Sequence, residues 1–432
     1  MSKPLNLGIA GLGTVGAGLV RLLADQADML QARCGRKLRL VAVSARDRGR
    51  ERGIDLSGVA WESDPLALAR RADIDVVVEL IGGADGVARQ LVEAAIVAGK
   101  QVVTANKAML AHHGTALARA AETKGVALGY EASVAGGIPI VKALREGLVG
   151  NRIQRLYGIL NGTCNYILTT MRESGRDFAS VLAEAQAHGY AEADPSFDID
   201  GVDAAHKLAI LTSVAFGVPV DFPAIHVEGI RQISAVDIAY ASELGYRIKL
   251  LGMARRTPHG IEQRVHPCMV PVETPIAHIE GVFNAVVAEG DFVGTTMFQG
   301  RGAGAGPTAS AVIADIVDIA RGVRLPVFSV PVDGLADGRA APMEKHRGAY
   351  YIRLMVTDRP GVIAAVAAAL RDEQVSMESM IQRGRSQSDA APVPVVLTTH
   401  ETSEAAMMAA VARIAKLDSV LERPCVVRIE AV

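Results

Sequence analysis

Cysteine is sparse in this chain, and what there is lacks pattern. Cys34, Cys164, Cys268 and Cys425 are its four cysteines. They form no CxxC pair and no framework spacing, which excludes a disulfide scaffold and points to a reducing, cytoplasmic setting. Aromatic residues are only 4% of the sequence, and the apolar content is Ala, Val, Leu and Ile. That usage favours helices packed on buried strands. A long hydrophobic run is also missing, although the mean hydropathy is +0.24. The longest, Leu208 to Val218, is broken by Thr212, Ser213 and Gly217, well short of the ~18 apolar residues of a membrane span. Lys3 and Pro4 lead into an apolar run interrupted at Gly8, so no secretory leader is expected. Charge of one sign is absent too: 45 Lys and Arg against 47 Asp and Glu leave a net charge of −2, no footprint for nucleic acid. There are no repeats and no low-complexity tract.

What is present, over 432 residues, is enough chain for two to four domains at roughly 100–200 residues each. From Leu5 to about Lys124, short apolar runs (Leu5–Ala10, Leu38–Val43, Val76–Leu80, Gln101–Thr104) alternate with Ala- and Leu-rich helical patterns. The runs are continuous, so both faces are expected to be buried, and the alternation predicts a parallel α/β sheet with right-handed crossovers. A mixed middle region carries Gly-rich turns at Gly136-Gly137 and Gly300–Gly306, the second leading into a helix over Thr308–Arg321. A Pro-, Gly- and charge-rich linker follows from Pro326. The last 80-odd residues read βαββαβ, the ferredoxin-like order. Its first strand-helix turn is Asp358-Arg359-Pro360-Gly361, and Gly384–Pro392 reads as a polar hairpin tip.

Gly11-Leu12-Gly13-Thr14-Val15-Gly16 follows the first strand and opens a helical run, Val15–Leu30. Gly11 is expected to make the tight turn, Gly13 to let backbone approach a pyrophosphate and Gly16 to let helix and strand pack closely. The helix start, at Thr14 and Val15, presents free N–H groups to the phosphates. In this context the motif predicts dinucleotide binding. The second strand ends in Ser44-Ala45-Arg46-Asp47-Arg48, with no carboxylate at its tip. Arg46 favours NADP(H), whose 2′-phosphate an arginine accommodates; NAD(H) remains the alternative, with Asp47 on the ribose. The fourth apolar run ends in Thr104, Asn106 and Lys107, at the carboxyl edge where ligands of such sheets sit.

Glu192, Asp194, Asp198, Asp200 and Asp203 lie close together, followed by Lys207. Aligning Gly201 to the glycine of a calcium loop puts Lys207 where its bidentate Glu belongs, which excludes an EF-hand but not another metal geometry. Asp203 and Lys207 are i and i+4 at the start of an apolar helix, hence on one face. An exposed pair there contributes little, but a Lys near a buried helix start is costly unless used. A desolvated lysine suits acid/base work on an alcohol or aldehyde.

Gly11–Gly16, Glu79–Gly83, Val103–Lys107, Tyr130–Ile140, Leu160–Ile167, Gly189–Lys207 and Gly302–Ser310 together resemble the bacterial homoserine dehydrogenases that carry a C-terminal ACT domain. They span nearly the whole catalytic region in order; Gly86 replaces a proline usual in the family. The resemblance implies a Rossmann-type dinucleotide-binding domain over 1–130, with 305–325 returning to it. It implies an α+β catalytic and dimerisation domain over 131–304, a linker over 326–348, and a ferredoxin-like ACT domain over 349–432. It implies reversible NAD(P)-linked interconversion of L-homoserine and L-aspartate 4-semialdehyde, in threonine, methionine and isoleucine biosynthesis. Lys207 is then the proton donor, with Asp203 and Lys107 beside it. Glu192, Asp198 and Asp203 bind the amino-acid substrate, while Lys107 and Gly304 also contact cofactor. A monovalent cation, usually sodium, is implied at Glu131, Val134, Gly136 and Ile138. The chain is expected to be a homodimer or homotetramer with threonine as effector at the ACT domain, separable by truncation near Lys345. The competing readings are another Rossmann dehydrogenase of a related amino acid or semialdehyde, and a non-catalytic amino-acid sensor. Cys164 has no base partner nearby in sequence, which weakens a thiol-based semialdehyde dehydrogenase.

Overall fold

The computed structural model describes residues 3–383 and 392–432, so most of the expected hairpin tip at Gly384–Pro392 lies outside the described residues. Six strands form a parallel sheet: β1 (Leu5–Ala10), β2 (Leu38–Ser44), β3 (Ala60–Glu62), β4 (Val76–Glu79), β5 (Gln101–Thr104) and β6 (Leu128–Gly129). Their order is β3-β2-β1-β4-β5-β6. The strand order reverses between β1 and β4, and ligands of such sheets bind at that switch point. All four residues of β4, three valines and Glu79, are buried, as in a strand covered on both faces.

The expected helix Val15–Leu30 is two helices, Thr14–Asp25 and Ala27–Cys34, because Gln26 leaves helical geometry at φ −112°, ψ 18°. Helix Ala305–Arg321, far along the chain, packs on both pieces. A Cβ on Gly18 would stand 2.9 Å from the Ala305 carbonyl oxygen, so glycine permits that contact. This helix begins earlier than expected, and Gly300 and Arg301 belong to a strand. Pro307 is tolerated because the first helical turn needs no N–H from it. The Gly-rich loop therefore shrinks to Gly302–Gly304.

The second sheet crosses a domain boundary. The middle region contributes β7 (Ile153–Ile159), β8 (His226–Val227), β9 (Tyr246–Thr257), β10 (Gly260–Pro271), β11 (Phe283–Gly290) and β12 (Gly294–Arg301). The C-terminal region contributes β13 (Arg347–Thr357), β14 (Met377–Gln382), β15 (Pro392–Thr399), β16 (Thr402–Ser403) and β17 (Cys425–Ile429). The main path runs β12-β11-β7-β9-β10-β17-β13-β15-β14. With helices Val362–Asp372 and Glu404–Ile414, the last region has the expected βαββαβ order. Its edge strand β17 pairs in parallel with β10, Cys268 opposite Arg428 and Met269 opposite Ile429.

The expected linker is a packed strap. Val327, Phe328 and Val332 are buried. The Glu122 carboxylate accepts the Val327 and Val332 amides at 3.1 and 2.7 Å. Three apolar side chains anchor this Pro/Gly-rich linker to the catalytic region. No helix among the described residues is long and apolar enough to cross a membrane.

Candidate active site

The site is built at strand tips. At β4, Glu79 is fully buried, and one carboxylate oxygen accepts the Ile81 and Gly82 amides at 2.7 and 3.0 Å. Its other oxygen accepts the Thr104 hydroxyl at 2.6 Å. Thr104 Oγ1 accepts the Asn106 amide at 3.0 Å. Asn106 then caps helix Lys107–Lys124 by accepting the Met109 amide, and donates to the Gly83 carbonyl at 2.7 Å. Thr104 is thus buried framework: its side chain is spent on holding β4, β5 and the start of the Lys107 helix together.

Lys107 reaches from that helix start to helix Val202–Phe216, where its Nζ lies 3.0 Å from Asp203 Oδ1. Lys207 Nζ donates to Asp203 Oδ2 and to the Leu160 carbonyl, both at 2.7 Å. Asn161 Nδ2 donates to Asp203 Oδ2 at 2.8 Å and to Asp198 Oδ1 at 2.7 Å. The same Asn161 side chain caps helix Gly162–Ser174 by accepting the Cys164 amide. One asparagine therefore fixes both carboxylates to a helix start. Asn161 and the Leu160 carbonyl were not singled out in the sequence; the Leu160–Ile167 motif, an Asn at a strand-helix turn, was the available signal.

Burial pushes the Asp203 carboxyl up, but the ammonium groups of Lys207 and Lys107 outweigh it and hold the carboxyl well below the ordinary range. Asp198 goes the other way: burial and the negative charge of Asp203 raise it. His206, packed on His112 and Phe222, is drawn down to about 4 by burial and the neighbouring His112. A proton there would add a third cation beside the two lysines. Phe197 presents its ring 5.7 Å from Lys107 Nζ. Lys107, Lys207, Asp198 and Asp203 are thus brought together, whereas Glu192 is exposed and takes no part in this set of contacts. The Cys164 thiol is fully buried and pushed well up, chiefly by burial, and donates to the Asp198 carbonyl at 3.3 Å. It is no nucleophile.

The glycine turn at β1 has room where a phosphate needs it. A Cβ on Gly11 would stand 2.4 Å from the Leu80 carbonyl oxygen, and one on Gly16 2.0 Å from that of Gly11. At Gly13 no atom comes within 4 Å, and Thr14 beside it is exposed. A helix start with open space before it fits a pyrophosphate. Gly304, at φ +121°, caps Ala305–Arg321 beside that turn. Arg46 is exposed at the β2 tip. Asp47 Oδ1 accepts the Gly49 and Arg50 amides of its own loop at 2.8 and 3.2 Å.

Around Glu131 the chain folds into a buried loop. Its two carboxylate oxygens accept the Val141 and Lys142 amides at 2.9 and 2.8 Å, and burial with nearby Asp315 raises the carboxyl to about 7. Val134, Gly136 and Ile138 are buried. Among the described residues, the Val134 and Gly136 carbonyls accept no hydrogen bond. Unpaired buried carbonyls beside a buried carboxyl are a donor set that fits a hard cation.

Comparison with known proteins supplies the family. The model for homoserine dehydrogenase matches residues 139–317. That for the homoserine dehydrogenase NAD-binding domain matches 11–131, and that for the ACT domain 350–416. A homoserine dehydrogenase of Neisseria gonorrhoeae is 47% identical over 99% of both chains, and one of Pseudomonas aeruginosa 46% over the same shares. The crystal structure of a homoserine dehydrogenase from Thiobacillus denitrificans superposes with a TM-score of 0.93 at 47% identity, covering 99% of this chain and 98% of that one. A hyperthermophilic archaeal homoserine dehydrogenase in complex with NADPH matches 74% of this chain and 99% of its own, at 27% identity and a TM-score of 0.64. With a Rossmann-order sheet, a lysine–carboxylate site reached from the carboxyl end of β5 and full-length relatives of one kind, the chain belongs to the homoserine dehydrogenases, NAD(P)-dependent oxidoreductases acting on a CH–OH group.

Proposed function

We propose that Lys207 is the proton donor in the NADPH-linked reduction of L-aspartate 4-semialdehyde to L-homoserine. The carrying observation is Asp203 held between two ammonium groups. A bound nicotinamide supplies the hydride; the chain must position the aldehyde and neutralise the developing alkoxide. Lys207 has three N–H groups, and two are used by Asp203 and Leu160. The third is left to meet the carbonyl oxygen, at which it stabilises negative charge and then delivers the proton. Asp203 remains ionised throughout and keeps both lysines aimed. Lys107, half a site away on the β5 edge, serves cofactor and substrate.

Asp198, with one oxygen on Asn161, and Glu192 receive the substrate α-ammonium, with Asp203 acting on the substrate through its lysines. The Gly11–Gly16 turn and Gly304 form the cofactor side, with Thr104 acting on the cofactor only by holding the β4 and β5 tips in place, and Arg46 takes the 2′-phosphate. Engagement of Asp47 with its own loop supports NADP(H) over NAD(H), as does the NADPH in the archaeal relative. Glu131, Val134, Gly136 and Ile138 hold a sodium ion that stiffens the turn between the two halves of the enzyme. Threonine is the effector at the Gly361 turn, where φ is +93° and helix Val362–Asp372 starts without a side-chain cap. Exposed Phe292 and Met297 beside the β12 edge support a homo-oligomer formed across that strand. Four free, buried cysteines support a cytoplasmic setting. The test is NADPH oxidation with the semialdehyde in the absence of phosphate: activity supports the reading, whereas no NADPH oxidation, with the semialdehyde instead reducing NADP+ only when phosphate is added, overturns it.

A further inference from the structure

Arg428 lies on β17 of the C-terminal domain and is 3% exposed. Its guanidinium joins carboxylates of two domains. Nη1 and Nη2 donate to Glu228 Oε2 and Oε1 at 3.1 and 2.9 Å. Nε donates to Glu404 Oε2 at 2.9 Å, and Nη2 also reaches Glu404 Oε1. Glu404 belongs to the C-terminal domain, at the start of helix Glu404–Ile414. Glu228 belongs to the catalytic region, directly after β8, with its amide on the Val265 carbonyl at 2.8 Å.

The segment after Glu228 is pressed against the substrate loop. A Cβ on Gly229 would stand 2.2 Å from the Ile199 carbonyl oxygen and 2.5 Å from Asp200 Cα, so only glycine permits this approach. The Ile230 amide donates to the Ile199 carbonyl at 2.9 Å. On the other side, a Cβ on Gly201 would meet Val227 Cγ1 at 3.1 Å and the Glu228 carbonyl oxygen at 3.3 Å. Ile199, Asp200 and Gly201 are the whole of the chain between Asp198 and Val202, the first residue of the Asp203 helix. Where 228–230 sits, the Asp198-to-Asp203 turn must sit.

We propose that Glu228 and Arg428 are positioning residues for substrate binding: their ion pair lets the C-terminal domain fix the 199–201 turn, and with it the placement of Asp198 relative to Asp203, within one chain. The inference rests on the reading of Asp198 and Asp203 as substrate-side carboxylates. Without Glu228 the buried Arg428 would pair only with Glu404 of its own domain, so the tie to the catalytic region would be lost, and such a tie suits a coupling element between two sites. An effector that displaces β17 would then change substrate affinity and leave cofactor affinity alone.

A second buried interdomain pair, Asp237 with Arg353 at 2.7 Å, provides the control, because it joins the domains without touching 199–201. Steady-state kinetics of the full-length enzyme would measure KM for the semialdehyde and for NADPH separately, alongside melting temperature. Glu228→Gln and Arg428→Lys are each expected to raise the semialdehyde KM at least about fivefold, the low end of a typical coupling, with the NADPH KM within about twofold of wild type. Their double variant should be no worse than either single change. Arg353→Met should lower the melting temperature and leave the semialdehyde KM unchanged. A wild-type semialdehyde KM in Glu228→Gln, which preserves side-chain shape, overturns the proposal, as does an equal rise in Arg353→Met. Asp198→Asn separates the two readings. An unchanged semialdehyde KM there sinks the substrate reading; a raised one there, with Glu228→Gln at wild-type values, sinks the positioning role alone.

Discussion

Lys207 Nζ lies 2.7 Å from Asp203 Oδ2, one turn along the same helix, with side chains 11% and 6% exposed. At the surface an i,i+4 pair of this kind contributes only about 0.2–0.5 kcal/mol. Burial changes its meaning, since neither charge can be left alone in a water-poor site without a large cost. Lys107 approaches the other oxygen of the same carboxylate. Two ammonium groups therefore share one carboxylate at the place where the proposed reduction generates an alkoxide.

Lys207→Ala should collapse turnover by about 10²–10⁴-fold, the usual worth of a positioned proton donor. The NADPH KM should be nearly unchanged, because the glycine turn does not touch this helix. Asp203 would retain Lys107 and Asn161, so the variant should fold. Near-wild-type turnover in a folded protein would remove Lys207 from the mechanism.

Asp203→Asn removes the counter-ion that two ammonium groups share. Breaking a buried pair by deleting one partner typically costs about 3–5 kcal/mol. Urea unfolding should show a loss of at least a few kcal/mol, together with a deep fall in kcat. Unaltered stability would mean that the lysines find other partners.

Acid should reveal Glu228. Burial pushes its carboxyl up, but His226 and Arg428 outweigh that and hold it at about 2, below its ordinary 4.5. A depressed folded-state value means that ionised Glu228 favours the native state above pH 4.5 and loses that contribution as pH falls towards 2. The stability gap between wild type and Glu228→Gln should be widest above pH 4.5 and close on acidification. Circular dichroism during acid titration would follow it; a gap independent of pH contradicts the assignment.

The enzyme should use NADPH more efficiently than NADH. Hydrogen bonds to charged groups are worth about 1.5–3 kcal/mol, so Arg46→Ala should lower kcat/KM for NADPH by roughly tenfold or more and spare that for NADH. Equal or better efficiency with NADH in the wild type would reassign the ribose to Asp47.

Millimolar threonine should lower activity and raise the melting temperature, since a ligand held at about 100 times its Kd adds about 2.7 kcal/mol to the state it binds. No response to threonine, isoleucine or methionine would leave the C-terminal domain a structural element. Truncation near Lys345 is a poor alternative test. It strips β17 from β10, takes Arg353 from the buried Asp237, and leaves the buried Arg264 with Glu262 alone once Glu430 is gone. The expected product is an unstable protein, not the freestanding active fragment that the linker composition implied.

Much of this protein was already determined by features local in sequence. The β1 and β5 boundaries, the Gly11–Gly16 turn, the βαββαβ order and the Asp203–Lys207 pair each depend on residues within one turn or one element of each other. Periodicity, glycine conformation and i,i+4 geometry act at that range, so they can be read without coordinates. The tertiary structure alone decided what those elements meet. Asn161 finds Asp203 across 42 positions, Lys207 finds the Leu160 carbonyl across 47, and Arg428 finds Glu228 across 200. It also turned the linker into a strap and made one sheet of two domains. Those pairings are set by which surfaces must be buried together and which buried charges must be neutralised. Both are sums over the whole chain, and no local pattern contains them.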